Sequence, residues 1–299
     1  MKLDVICFGA LNVDKLYKVD KIASADEESE ILDFKEAPGG SAANTAVGLA
    51  RLGVKTGFIG KVARDREGEM LMRSFIEEGV NTDGIVVASH GRSGVVIGFV
   101  DEAGERALYV DPGVNDSLSL EEIDMDYTSQ AGLLHLSSFI GESSFNVQKE
   151  IVKMLSDIPV TIDPGMIYAR KGLAELKPLI ERCLALFPNE HEVRILTGKN
   201  YVEGSQILLK EGVKIVAVKL GSRGCYVTDG KEQHVIEPFR VKVVDSTGAG
   251  DAFCAGFIYG LMKNMSLREC GILGNFVASR TLMKMGARNG LPRREDLPL

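Results

Sequence analysis

The sequence predicts an α/β fold in which helices cover both faces of a mainly parallel sheet, and two observations support this prediction. The first is that short apolar runs rich in β-branched residues alternate along the chain with segments of helical periodicity. Such alternation is typical of buried parallel strands joined by helical crossovers. The expected strands cover residues 3–10, 56–62, 133–137, 160–162, 184–187 and 215–219.

The second observation is where the helical segments end. Apolar residues recur at helical spacing over 43–50 and over 72–76, and these repeats are followed by Gly53 and Gly79. Glycine is favoured just after a helix because it adopts the left-handed conformation of a C-terminal cap. Each repeat therefore predicts a helix that ends at its glycine.

Two excursions, at about 12–38 and 85–110, interrupt this alternation. The first is acidic and lacks helical periodicity, whereas the second has two apolar runs around Asp101-Glu102-Ala103-Gly104 and predicts an antiparallel hairpin. Extended excursions from an α/β core can form a small sheet that covers a pocket as a lid. An ordinary surface hairpin is the alternative. We expect one domain, residues 1–299, with a lid.

Composition excludes several classes of function. The chain has 299 residues, 45% of them hydrophobic, with a net charge of -7, which argues against nucleic acid or an anionic membrane as a partner. No apolar run reaches the roughly 18 residues that span a bilayer. The five cysteines are scattered and odd in number, as expected of free thiols in a reducing compartment. We expect a cytoplasmic protein.

The most informative stretch is 244–253, where small residues lead into an apolar helix. A helix N-terminus has unpaired amides and partial positive charge, so Gly248, Ala249 and Gly250 would let a phosphate approach the backbone. Asp251 would then lie beside a phosphoryl group, where a carboxylate suits removal of a proton from an attacking hydroxyl. The stretch therefore predicts phosphoryl transfer to an alcohol. The alternative is that Asp251 only caps the helix.

A second cluster of small residues, 38–46, also opens a predicted helix. Its Gly39 and Gly40 permit close backbone approach, and Asn44 offers a donor and an acceptor to a polyol. Asn12 and Asp14 follow the first strand, at the edge where open α/β sheets bind ligands. These residues predict a site for a sugar or a ribose. Taken singly, Asn12 and Asp14 are also typical turn residues.

A third element is Phe187-Pro188-Asn189-Glu190-His191-Glu192, where a predicted strand ends and a helix begins. Asn189 lies three residues before Glu192. The spacing fits a capping box. It equally fits a pair that orients hydrated Mg²⁺ and phosphate oxygens, because Mg²⁺ keeps several waters and takes few carboxylates. Both interpretations stay open.

These three motifs, with their order and spacing, resemble the ribokinase-like (PfkB) family of carbohydrate kinases. The resemblance covers nearly the full chain and extends to Lys219-Leu220-Gly221-Ser222-Arg223-Gly224. It implies a doubly wound sheet with a β lid, ATP as phosphate donor with Mg²⁺, and a hydroxyl group as acceptor. It also implies that Asp251 is the catalytic base and that 248–250 form an anion hole. Homodimers paired through the lid are a further implication.

The resemblance also assigns ligand-binding residues. Asp14, Gly39, Gly40 and Asn44 would hold acceptor hydroxyls, and Asn189 with Glu192 would organise the metal and phosphates, Glu192 through water. The nucleotide would be bordered by Lys219, Gly221 and Gly224. Lys219 departs from the threonine common in the family, and it would either touch a phosphate or face solvent. A monovalent cation such as K⁺ would lie near Asp245, Thr247 and Gly286.

The acceptor is the least determined part of this prediction. Arg92 lies where phosphosugar kinases of the family carry an arginine for the substrate's phosphate, but no matching set of basic residues accompanies it. A free sugar is preferred, with a nucleoside as the second choice and a phosphosugar as the third. A ligand-sensing module that has lost turnover is the alternative from a different class, because a fold alone does not determine chemistry.

Overall fold

The computed structural model describes residues 2–103 and 105–298, so Met1, Leu299 and the Gly104 of the predicted hairpin turn lie outside the described residues. Within these ranges the predicted α/β fold is confirmed. The strands are β1 (Val5–Phe8), β2 (Asn12–Val19), β3 (Ile31–Gly39), β4 (Thr56–Ala63), β5 (Ile85–Ala88), β6 (Gly94–Val100), β7 (Arg106–Asp111), β8 (Leu134–Ser137), β9 (Val160–Asp163), β10 (Cys183–Leu186), β11 (Ile215–Lys219), β12 (Cys225–Thr228) and β13 (Gln233–Ile236).

The helices occupy the segments between the strands and the end of the chain. They are α1 (Ser41–Arg51), α2 (Arg66–Glu77), α3 (Met125–Thr128), α4 (Glu142–Met154), α5 (Gly165–Ile180), α6 (Glu190–Thr197), α7 (Tyr201–Lys210), α8 (Ala249–Met262) and α9 (Leu267–Thr281). The first two end just before Gly53 and Gly79, both of which have positive φ, as the sequence predicts. No helix in the described part of the chain combines the length and apolarity needed to cross a membrane.

The large sheet has the strand order β13-β12-β11-β10-β9-β8-β1-β4-β5. Neighbouring strands from β11 to β5 pair in parallel, and β12 and β13 add an antiparallel edge. Each of the six expected strands is present, with ends that differ by at most two residues. Their carboxyl ends share one edge of the sheet, which is where open α/β sheets bind ligands.

The two faces of the large sheet carry separate cores. Along β1, Val5 and Cys7 belong to one apolar cluster, and Ile6 and Phe8 belong to the other. This alternation follows from the two-residue period of a strand, which directs successive side chains to opposite faces. The first cluster also contains residues of α1, α2, α8 and α9, and the second contains residues of α3 to α7. The helices therefore form a layer on each side.

A small sheet of order β3-β2-β6-β7 follows the end of β1. The predicted hairpin is confirmed, because β6 and β7 pair antiparallel. The start of the second excursion is corrected. We expected it at residue 85, but Ile85–Ala88 pairs in parallel with β4 and extends the large sheet. Pairing there gives this four-residue run partners for its backbone, so the small sheet resumes only at Gly94.

Candidate active site

The loop 245–250 connects to the N-terminus of α8, and Gly248 sets its path. Gly248 has φ 76° and precedes the first helical residue, Ala249. A Cβ at Gly248 would lie 2.5 Å from Cβ of Ala287, so both the conformation and the space require glycine. At the start of α8 the Ala249 amide donates to the Ser246 carbonyl at 3.3 Å, and the first-turn amides carry the positive end of the helix dipole. This helix start is therefore suited to an anion.

Asp251 lies in the first turn of α8, and its carboxylate accepts hydrogen bonds from two neutral groups. The Ser41 hydroxyl donates to Oδ1 at 2.7 Å, and the Asn44 amide donates to Oδ2 at 2.8 Å. Burial raises the pKa of Asp251 to about 7, while the bond from Asn44 opposes that rise. The carboxylate is therefore basic enough to take a proton near neutral pH and has no cation bonded to it among the described residues.

The other end of the Asn44 amide meets a buried arginine. Nε of Arg288 donates to Oδ1 of Asn44 at 2.8 Å, and the same guanidinium donates to the carbonyl of Gly39 at 3.4 Å. Burial lowers the pKa of Arg288 to about 10. Asn44, predicted to bind the acceptor, is thus placed between the base and an arginine, with only 5% of its surface exposed.

A cleft of about 500 Å³ lies on one side of the α8 N-terminus, and we call it the donor cleft. It contains the predicted Lys219, Gly221 and Gly224, together with Ala249 and Gly250. Its apolar walls include Pro238, Phe239, Val241, Val243, Phe253 and Leu282. Apolar walls beside a helix N-terminus suit a nucleotide, whose base needs the first and whose phosphates need the second.

Lys219 neither faces solvent nor stands alone in the donor cleft. Its ammonium lies 2.7 Å from Oδ2 of Asp163, which ends β9. Burial alone would lower the pKa of Lys219, but nearby anionic groups, Asp163 foremost among them, raise it above its usual value. The Cys254 thiol also donates to Asp163 Oδ2, at 3.5 Å. A Cβ on Gly250 would lie 3.4 Å from the Lys219 ammonium, so this charge adjoins the predicted anion hole.

Asn189 and Glu192 form the capping box of α6. The Asn189 side chain accepts from the Glu192 amide, and both oxygens of Glu192 accept from Asn189, all at 2.8 Å. Burial raises the pKa of Glu192, and Lys219 opposes that rise. Asn189 also pairs through its backbone with Lys219, which brings this helix start next to the donor cleft. The capping interpretation is therefore realised, at a position adjoining the predicted phosphate site.

A second cleft, of about 400 Å³, lies between the small sheet and the loop before α8, and we call it the acceptor cleft. Asp14 lines it, and burial raises the pKa of Asp14 to about 6, opposed by the charge of Arg288. Gly39 lies so close to Asp14 that a Cβ there would collide with the carboxylate. Gly40 connects β3 to α1 with φ 100°. Asp14, Gly39 and Gly40 are thus brought together.

Two predicted residues are engaged elsewhere. Oδ1 of Asn12 accepts from the Asn115 amide at 3.0 Å, and Asn115 also bonds both backbone groups of Leu11. Asn12 is therefore held as a strand-end residue. Arg92 is largely exposed and pairs with Asp111 at 2.9 Å, as expected of a solvated charge at a strand end.

The predicted residues for a monovalent cation do come together. Oδ1 of Asp245 accepts from the amide and the hydroxyl of Thr247, at 2.9 and 2.8 Å. Oδ2 accepts from the Gly286 amide at 2.8 Å. Asp245 and Thr247 also line the acceptor cleft, so this group lies beside the loop that precedes the helix start.

Three residues of the site were missing from the sequence prediction: Ser41, Asp163 and Arg288. Ser41 lay inside a motif already singled out, and Asp163 directly follows the predicted strand 160–162, at the ligand-binding edge of the sheet. Those positions were signals that could have identified both. Arg288 lies in a loop after the last long helix, and its position carries no comparable signal.

The arrangement sets one basic carboxylate in the first turn of α8, and the loop that leads into this helix lines both clefts. One cleft offers apolar walls beside the helix dipole, and the other offers an aspartate and close backbone. In an α/β fold these features define a class of protein, the kinases that phosphorylate small alcohols.

Comparison with known proteins agrees with this class. A family model described as pfkB family carbohydrate kinase matches residues 2–294 of this chain. An uncharacterized sugar kinase of Archaeoglobus fulgidus is 47% identical over 84% of this chain and 100% of that protein. An ATP-dependent ribose-1-phosphate kinase of Halopiger xanaduensis is 32% identical over 95% of this chain and 94% of its own length. The structure of Arabidopsis thaliana ribokinase complexed with ribose and ATP is similar with a TM-score of 0.86, at 27% identity, covering 99% and 97% of the two chains.

The chain therefore belongs to the pfkB family of carbohydrate kinases. As a member, it is an ATP-dependent phosphotransferase, and the alternative of a sensing module without turnover is set aside.

Proposed function

We propose that the protein transfers the γ-phosphate of ATP to a hydroxyl of a free sugar bound in the acceptor cleft, with Asp251 as the general base. The observation that carries this proposal is the state of Asp251. Its carboxylate is held at both oxygens by neutral donors, and burial raises its pKa to about 7. Such a group is about half ionised at neutral pH and is basic enough to accept the proton of an attacking hydroxyl.

The donor side would supply charge stabilisation. The backbone N–H groups of 248–250 would donate hydrogen bonds to the transferring phosphoryl oxygens, and preorganised donors of this kind stabilise charge that develops in the transition state. Lys219 would add a positive charge beside them, held in place by Asp163. Gly221 and Gly224 would border the nucleotide, with its base against the apolar wall.

Mg²⁺ is expected to accompany the nucleotide phosphates. Each Glu192 oxygen accepts one hydrogen bond from Asn189, and a carboxylate oxygen has two lone pairs, so each keeps one for a water. This donor set fits a Mg²⁺ held through water. Bound there, the ion would neutralise phosphate charge.

An uncharged acceptor is favoured by the charges around the acceptor cleft. Its lining has four aspartates (Asp14, Asp33, Asp101 and Asp245) against two lysines (Lys18 and Lys35). Excess negative charge repels a phosphorylated substrate, whereas carboxylates accept hydrogen bonds from sugar hydroxyls. Asp14 would hold such hydroxyls beside Gly39 and Gly40. Asn44 would contribute through its remaining amide hydrogen.

Two further acceptors have specific observations in their favour. A nucleoside suits the apolar residues of the acceptor cleft, which include Leu16, Tyr17, Val96 and Leu108. A phosphosugar is suggested by the relative named ATP-dependent ribose-1-phosphate kinase. The sugar remains our first choice because of the charge balance.

The test is a parallel measurement of ADP release with ribose, fructose, 2-keto-3-deoxygluconate, adenosine, inosine, cytidine and ribose 1-phosphate. We expect turnover with a free sugar that depends on Asp251, so Asp251→Asn is the matched control. Preference for a nucleoside or for ribose 1-phosphate would replace the acceptor we propose. Release of ADP by Asp251→Asn at the parental rate would refute the role of the base.

We also propose that the chain acts as a single domain in which the small sheet is a lid, and that two copies pair through it. The described residues of β3 and β7 expose Ile31, Leu32, Phe34, Tyr109 and Val110, and such a patch is typical of an interface.

A K⁺ ion near Asp245, Thr247 and Gly286 would activate the enzyme, which a comparison of KCl with a bulky organic salt would test. Five free buried thiols support a cytoplasmic location.

A further inference from the structure

We propose that Arg288 is a positioning residue for catalysis, which fixes the Asn44 amide so that its NH₂ group, and not its carbonyl, faces Asp251. This inference rests on the proposed role of Asp251 as base. It concerns a side chain that is not among the lining residues of either cleft and that lies 244 positions from its partner in the sequence.

The argument begins with the donor-only chemistry of arginine. A guanidinium has five N–H donors and no acceptor, so the atom of Asn44 that faces it must be the carbonyl oxygen. Nε of Arg288 lies 2.8 Å from Asn44 Oδ1. The two ends of an asparagine amide have nearly the same shape, and therefore the partners decide which end points where.

The orientation of Asn44 has a chemical consequence at Asp251. With the carbonyl directed at Arg288, the NH₂ group donates to Asp251 Oδ2 at 2.8 Å. A donated hydrogen bond favours the ionised carboxylate, which is the form that can accept a proton. A flipped amide would present a carbonyl to Asp251 instead. Only a protonated acid could bond to it, so the flip would favour the inactive form.

Arg288 is itself held firmly enough to impose this orientation. It is 8% exposed and donates to Oγ of Ser74 at 2.8 Å and to the Gly39 carbonyl at 3.4 Å. The ring of Phe75 lies 5.7 Å from the guanidinium carbon. Arg51 donates to the Arg288 carbonyl at 2.6 Å and so fixes its backbone. Contacts from α1, α2 and β3 thus determine the place of one guanidinium.

Other charged and titratable groups also influence Asp251, and they come from separate elements. They are Asp163 of β9, Lys219 of β11, Cys254 of α8 and Arg288 itself, with Asp14 of β2 acting on Arg288. Removing Arg288 would remove a positive charge as well as an orienting donor. The experiment must therefore separate the two effects.

A double-mutant cycle on Arg288→Met and Asn44→Ala separates them, because interaction between two sites appears as non-additivity. The measurement is the pKa of Asp251 in the free protein, followed by NMR of its ¹³C-labelled carboxyl group. In the parental background we expect Arg288→Met to raise this pKa by about one unit or more. In the Asn44→Ala background the shift should shrink to less than half. Equal shifts in both backgrounds would show that Arg288 acts only as a charge and would overturn the proposal.

Two controls and a direct observation complete the test. Ser74→Ala removes a different partner of Arg288, and Arg288→Lys keeps a donor-only cation, so both should leave the Asp251 pKa within about 0.3 units of the parent. In the unaltered protein, the ¹⁵N signal of the Asn44 amide should shift as Asp251 titrates. That last measurement can be made even if Arg288→Met does not fold. An Asn44 ¹⁵N chemical shift that stays constant while Asp251 titrates would also overturn the proposal.

The two proposals fail in distinguishable ways. The NMR titration needs no substrate, so it reports on Arg288 even if no acceptor is phosphorylated. If the protein is a kinase with Asp251 as base, Arg288→Met should also move the acidic limb of its kcat/KM profile upward by the same amount as the pKa. Kinase activity with an unmoved limb would reject the positioning role alone.

Discussion

The two flanks of Asp251 are built on opposite electrostatic principles. The acceptor flank, Ser41 and Asn44, bonds to the Asp251 carboxylate through neutral donors. The donor flank, Asp163 with Lys219, pairs a carboxylate directly with an ammonium at 2.7 Å. Asn44 and Asp163 are each 5% exposed, so the difference between the two flanks lies in their partners and not in the degree of desolvation.

The difference teaches how one site keeps a base and a cation apart. A carboxylate in direct contact with a cation has a lowered pKa and is a poor base, whereas neutral donors orient it without removing its basicity. A lysine beside a phosphate site needs the reverse, because its charge must persist after burial. Asp163 supplies that charge partner, and Asp251 keeps the basicity that its proposed role in proton transfer requires.

Replacing Asp251 with asparagine should have the largest effect on activity. Asparagine can still accept from Asn44 and donate to Ser41, so the fold should be retained, but it cannot take a proton. We expect kcat to fall by about 10³-fold or more, within the range that general bases contribute. The measurement is steady-state kinetics with the best acceptor, alongside the binding of ATP. A kcat within tenfold of the parent would show that Asp251 is not the base, and the contrast drawn between the two flanks would then be wrong.

Replacing Lys219 with methionine should have the next largest effect, on stability. It leaves the buried Asp163 carboxylate unpaired, and breaking a buried pair in this way costs about 3–5 kcal/mol. Denaturant unfolding would measure the loss. The double variant Lys219→Met with Asp163→Asn should recover at least half of it, because no charge is then stranded. If the double variant is no better than the single one, the pair is not the organising feature of the donor flank.

Local patterns in the sequence predict the ends of two helices and six of the nine strands that the described residues form in the large sheet, but not the antiparallel edge of β12 and β13. They did not reveal β5, because a four-residue edge strand resembles the start of the neighbouring excursion. Contiguous motifs likewise identified Asp251 and the glycines around it. The partners of Asp251 were harder to find, because its bonds to Ser41 and Asn44 span 210 and 207 positions. No local pattern predicts such contacts.

The pH dependence of turnover should reveal the acceptor flank directly. Since burial raises the pKa of Asp251 to about 7, the base is protonated below that pH and ionised above it. We expect kcat/KM to increase with pH and to level off above 7, with a loss of about 30-fold at pH 5.5. The rate should be followed at acceptor concentrations well below KM. A plateau that extends down to pH 5 would mean that a cation, or an exposed position, keeps Asp251 ionised.

The same raised pKa makes a prediction about stability. Asp251 binds a proton more tightly in the folded protein than in the unfolded chain. Because of this difference, raising the pH from about 4 to about 7 progressively destabilises the fold. The Asp251→Asn variant lacks this ionisation. It should therefore lose less stability than the parent between pH 5 and pH 8, by about 1–3 kcal/mol once relaxation is allowed for. Parallel unfolding curves at both pH values would measure the difference, and identical pH dependence in the two proteins would contradict it.

The finest test of the comparison removes one matched donor from each flank. Ser41→Ala deletes a hydrogen bond to Asp251, and Cys254→Ala deletes the weaker bond from a thiol to Asp163. Because hydrogen bonds to the ionised form lower a carboxylate's pKa, Ser41→Ala should move the acidic limb of kcat/KM upward by about half a unit and reduce kcat/KM about twofold at pH 7. Cys254→Ala should leave the limb in place, since Asp163 keeps its ion pair with Lys219. If both variants shift the acidic limb equally, the two flanks titrate as one coupled unit. The environment of Asp251 would then not differ from that of Asp163 in the way we describe.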